Sequence, residues 1–78
     1  MVLLVQEEGR AVNRLEEALF EARPYVEYYD RLEELVKRLW EKATDEEHFL
    51  RLLSEELPRA EEPFRTDLRI FLQKFEAL

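Results

Sequence analysis

Residues 25–43, YVEYYDRLEELVKRLWEKA, decide the fold. Tyr25, Tyr29, Leu32, Val36, Leu39 and Ala43 recur at alternating spacings of four and three, the a/d spacing of a helix that buries one side. Tyr28, Leu35 and Trp40 widen that stripe on its flanks. Glu27 and Arg31, Glu33 and Lys37, and Glu34 and Arg38 stand four apart with the acid first, the favourable orientation on a solvated helix face. A strand would alternate with period two, and no segment of the chain does so for long.

The same spacing extends in both directions. Upstream, Val12, Leu15, Leu19 and Ala22 mark an earlier helix that reaches back through Gly9 towards Val5; residues 2–6 could instead form an extended arm. Arg23-Pro24 separates the two helices, and because proline suits a first turn and damages a helix interior, a tight turn is favoured over a kink. Downstream, Thr44 opens a short third helix. After a Pro-containing linker at 58–63, Phe64, Leu68, Phe71, Phe75 and Leu78 stripe a fourth, with Leu72 beside them. The expectation is an all-α, small antiparallel bundle of four helices near 3–22, 24–43, 45–57 and 63–77, with no sheet and one domain over 1–78.

Composition narrows the function. A chain of 78 residues is near the lower limit for a self-sufficient core, which rarely supplies more than roughly 3–5 kcal/mol at this size without a staple or a partner. There is no cysteine, which removes disulfides, thiolate zinc sites and cysteine nucleophiles. A net charge of −7 disfavours phosphate backbones, so no nucleic acid is expected as a direct partner. The longest N-terminal apolar run, Val2–Val5, is far short of a membrane span or signal core, so a cytoplasmic protein without a membrane role is expected. One glycine, one asparagine and abundant Glu and Arg resemble a thermophile's inventory.

The only histidine, His48, follows Asp45-Glu46-Glu47. Thr44 with Glu47 fits a capping box, and carboxylates in a first turn are stabilised by the helix dipole, so these residues have a structural reason to be there. The chemical reading would take Asp45 and His48, with Glu27, Asp30 and Glu34, as metal ligands. Carboxylate-bundle metal sites need two Glu-x-x-His pairs, and with one histidine such a site could form only across a dimer. Glu27-Tyr28-Tyr29-Asp30 resembles the second half of the Glu-x-x-Glu…Glu-x-x-Asp signature of all-helical, magnesium-dependent nucleotide pyrophosphohydrolases of the MazG type. That resemblance implies carboxylates holding Mg²⁺ against phosphates, but the chain contains no Glu-x-x-Glu. Ser54 has no base to activate it and there is no glycine-rich phosphate loop. The expectation is therefore a protein without catalytic residues or cofactor, with a metal-dependent hydrolase as the alternative.

Aromatic residues point elsewhere. Phe49, Phe64, Phe71 and Phe75 lie on stripe positions and are expected in the core. Phe20, Tyr25, Tyr28, Tyr29 and Trp40 gather around the first two helices, and tyrosine and tryptophan concentrate at interfaces. A two-fold homodimer through Tyr25, Tyr28, Tyr29, Leu32, Val36, Leu39 and Trp40 is expected. Residues 44–57 carry five acids against one base, and the acidic stretch 44–62, with Asp45, Glu46, Glu55, Glu56, Glu61 and Glu62, is expected to meet a basic protein partner. The functional expectation is a self-associating accessory or regulatory module, with a purely structural oligomeriser as a further alternative.

Overall fold

A computed structural model describes residues 14–78. It is an all-α bundle, with no strand among the described residues. Helix α1 is described over residues 14–22, α2 spans Tyr29–Lys42, α3 Glu46–Glu56 and α4 Phe64–Ala77, with short 3-10 turns at Arg23–Tyr25 and Leu57–Arg59. The expectations for residues 2–13, including the extended arm at 2–6, lie outside the described residues.

Pro24 makes a turn, and the second helix begins at Tyr29, five residues later than the expected start at 24. The proline sits in the first positions of a 3-10 turn, after which Val26 is extended (φ −109°, ψ 155°). Two backbone amides that could have entered a helix are then taken from outside: Glu27 N and Tyr28 N donate to the two carboxylate oxygens of Asp67, at 3.1 and 2.9 Å. Regular i−4 bonding starts with Leu32 N to Tyr28 O. Tyr25 and Tyr28 thereby leave the buried stripe and stand exposed.

The remaining stripe residues close the core. Leu15, Leu19, Leu32, Val36, Phe49, Leu53, Phe64, Leu68, Phe71 and Phe75 are buried, as are Ala18 and Ala22 where α1 approaches its neighbours. All four phenylalanines expected inside are inside. Phe49 is the hub of their contacts. Its ring lies 5.1 Å from Trp40, edge-on at 77°, and 5.4 Å from Phe75, while Phe71 stacks on Phe75 at 5.8 Å. Such pairs contribute about 0.5–1.5 kcal/mol each beyond the area they bury.

Connections are short and hydrogen-bonded. Ala43 N returns to Leu39 O at the end of α2 (3.0 Å). After α3, Pro58 stands in the 3-10 turn and Ala60 N reaches both Glu56 O and Leu57 O. The Ala60 carbonyl accepts two bonds from the Arg65 guanidinium, at 3.0 and 2.8 Å, which ties the linker to α4. On the outside, Lys37 bridges Glu33 within α2 (3.1 Å) and Glu16 on α1 (3.4 Å), and these two carboxylates hold its ammonium above the ordinary 10.5. Arg14 of α1 pairs with Glu46 of α3 at 2.8 Å and covers the Phe75 ring with its guanidinium.

Candidate functional site

The start of α3 settles what His48 does. Asp45, in extended backbone (φ −159°, ψ −179°), is the N-cap, and its Oδ1 accepts from His48 N at 2.8 Å. His48 closes the loop from the other side: its Nδ1 accepts from Thr44 N at 3.1 Å, with Thr44 Oγ1 at 3.3 Å. His48 thus stands where a capping box holds Glu or Gln, but its ring takes the amide of Thr44, one residue before the N-cap. This arrangement corrects the expected register by one residue, since Thr44 precedes the cap and does not form it. The carboxylate of aspartate is the stronger acceptor for an amide, and it wins the position over the neighbouring hydroxyl.

The metal candidates do not converge. Asp45 and His48 use one oxygen and one ring nitrogen in this cap. Glu27 lies in the bend before α2, Asp30 in the first turn of α2, and Glu34 one turn further on. Among the described residues no group of three or more Asp, Glu or His is placed to hold a metal ion.

The acidic residues are mostly occupied within the chain. Asp45 caps α3, Glu46 pairs with Arg14, and Glu56 stands 3.5 Å from Arg59. Glu62 Oε1 accepts from both the amide (3.1 Å) and the hydroxyl (2.6 Å) of Thr66. It thereby satisfies one of the free amides at the start of α4, and the Thr66 hydroxyl bond holds the Glu62 carboxyl below its ordinary 4.5. Glu55 and Glu61 are exposed.

The expected aromatic interface divides in two. Leu32 and Val36 are 0% exposed and Leu39 is 5% exposed, so all three belong to the chain's own core and offer nothing to a partner. This corrects their placement in an interface: periodicity marks a buried face without saying what buries it. Trp40 and Tyr29 are half-buried against that core, and burial pushes the Tyr29 phenol above its ordinary 10.0, with Glu33 adding to the shift. Tyr25 and Tyr28 are exposed, at 63% and 46%, and Phe20 still more so at 70%. Phe20 falls off the Leu15–Leu19–Ala22 stripe of α1, which was the sequence signal for its exposure.

These exposed rings surround the α1–α2 junction. Phe20, Pro24 and Tyr25, with Glu21 and Arg23, line a groove of about 280 Å³. Lys74, from α4, sits 4.7 Å above the Tyr25 ring, and Arg23 sits 5.0 Å above Tyr29. Tyr28 lines two neighbouring hollows with Arg31, whose guanidinium stacks on Phe64 at 4.2 Å. Large apolar side chains grouped at a surface suit the docking of another macromolecule better than the capture of a small ligand, which calls for an enclosed cavity.

Among the described residues no helix is long and apolar enough to cross a membrane. No curated protein matches the chain, and no solved structure does. Residues 12–78 match the MJ1579 family, and the chain belongs to that family.

Proposed function

We propose that this chain is a non-catalytic, cytoplasmic accessory or regulatory module that works by self-association. One observation carries the reading: Phe20, Tyr25 and Tyr28 stand exposed around one helix junction, while the remaining aromatics are buried or packed against the core. A chain of this size gains little from leaving such side chains in water, and association with a second copy removes them from it. Of the residues that a metal or nucleotide mechanism would use, Asp45 and His48 are engaged at the start of α3. Capture of a basic protein by the acidic residues is the weaker companion reading, because four of the six already have partners within the chain.

Light scattering across a hundredfold dilution, at low and high salt, tests the proposal. A dimer whose mass holds or strengthens as salt rises is expected, because apolar contacts are not screened by ions. A 9.5 kDa monomer under every condition would remove self-association from consideration.

A further inference from the structure

We infer that the corner formed by Phe20, Pro24 and Tyr25 is a two-fold contact with a second copy of this chain. This rests on the self-association reading and adds to it the surface and the symmetry. The corner has an apolar centre, with Phe20 70% and Tyr25 63% exposed on either side of a groove that Pro24 helps to line. Around it stand charges of both signs: Glu21 and Arg23 in the groove wall and Lys74 over Tyr25. None of these three makes an ion pair among the described residues.

That arrangement selects the occupant. In a two-fold contact one patch meets itself, so residues of one copy face the same set in the other. An apolar centre flanked by Glu21 on one hand and by Arg23 and Lys74 on the other can then set each Glu21 against a base of the opposite copy. A wholly basic partner would face Arg23 and Lys74, and a wholly acidic one would face Glu21. Arg23 and Lys74 also let two chains of net charge −7 meet here without an all-acidic seam.

Size sets the strength. Aromatic side chains bury about 150–250 Å² each when fully covered, so the two Phe20–Tyr25 pairs, already partly covered, would remove on the order of 500 Å² from water. With the flanking Pro24, Glu21, Arg23 and Lys74 the contact reaches only the low end of specific interfaces, about 1,200 Å² in total. The dimer is accordingly weak and dissociates on dilution.

The absence of cysteine makes the surface directly readable, because one introduced thiol is the only one in the chain. Glu17 lies one turn before Phe20 and Glu21 on α1, at the rim of the corner, while Glu55 lies on α3, which contributes nothing to it. Glu17→Cys and Glu55→Cys are each treated with a short bismaleimide at a concentration where light scattering shows dimer. In parallel the dimer dissociation constant is measured for Phe20→Ser and Tyr25→Ser, with circular dichroism confirming their helix content. Covalent dimer from Glu17→Cys but not from Glu55→Cys, with at least a tenfold weakening in the serine variants, is the expected result. A dimer that crosslinks through Glu55→Cys instead, or that is indifferent to both serine variants, would overturn the corner and leave self-association standing. A wild-type monomer at every concentration would overturn both.

Discussion

Asp67, in the first turn of α4, holds Tyr28 in place. Its carboxylate, only 2% exposed, accepts from the backbone amides of Tyr28 at 2.9 Å and of the adjacent Glu27 at 3.1 Å. The contact decides where α2 begins, since both amides are withdrawn from helical bonding, and it fixes the chain between the exposed Tyr25 and the buried Leu32. Asp67→Asn leaves one carbonyl oxygen for two donors and turns an NH₂ group towards one of them. A loss of about 2–3 kcal/mol is expected, by the usual value of a buried hydrogen bond to a charged group. Urea unfolding followed by circular dichroism measures it, and a loss under about 0.5 kcal/mol would mean that water replaces Asp67 without difficulty.

The cap of α3 predicts an ordering between neighbours. Asp45→Ala removes the acceptor for His48 N and should cost about 1 kcal/mol, the usual value of an N-cap. Thr44→Ala removes only a hydroxyl contact to Nδ1 at 3.3 Å, keeps the backbone donor, and should cost a few tenths at most. His48→Ala falls between them, because Thr44 N then bonds to water. The three melting curves rank the residues directly. A larger effect at Thr44 than at Asp45 would return the cap to the earlier residue.

Much of this architecture is legible in the periodicity, and the misses share a physical origin. The stripe of α4 placed Phe64, Leu68, Phe71 and Phe75 in the core, whereas that of α2 marked Leu32, Val36 and Leu39 as a covered face and was read as an interface. What a stripe does not contain is the identity of the covering surface, so the latter three read equally well as an interface. Local pattern also extended α2 back to Pro24, because the competing bond comes from Asp67, some forty residues away in sequence. The signal for that bond is present in retrospect: Asp67 stands between Phe64 and Leu68 on an apolar face, where an acid without a partner would be costly. Thr44-Asp45-Glu46-Glu47-His48 reads as a capping box at Thr44 and Glu47, and the structure puts the cap one residue later, at Asp45.

Trp40 and Tyr25 separate folding from association. Trp40 contacts Phe49 edge-on at 5.1 Å and Phe75 at 6.3 Å, so Trp40→Ala opens a void beside the aromatic cluster and should cost about 2–4 kcal/mol. Tyr25 is 63% exposed, and below the dimer dissociation constant Tyr25→Ala should change stability by no more than about 0.5 kcal/mol. Denaturation of both variants at low concentration checks the pair. Equal losses would show that Tyr25 is part of the folding core after all.

Glu62 supplies a pH-dependent grip on the start of α4. The Thr66 hydroxyl, followed by the Thr66 amide, holds its carboxyl below the ordinary 4.5. A carboxyl depressed in the folded state contributes stability that is present above its unfolded value and lost as pH falls through the folded one. The contribution is therefore complete at neutral pH and disappears progressively below about 4.5. Thr66→Val removes the 2.6 Å hydroxyl bond while keeping a side chain of similar shape. In that variant the side-chain carboxyl carbon of Glu62, followed by NMR, should titrate closer to 4.5, and the melting temperature should fall relative to wild type at pH 7. The gap should narrow as the pH falls through the Glu62 titration, since below it the carboxyl is protonated in both proteins. A Glu62 titration that does not move on loss of the hydroxyl would assign its depression to the backbone amide at position 66 and to Arg65 and Arg69 instead, and the gap in melting temperature would then be independent of pH.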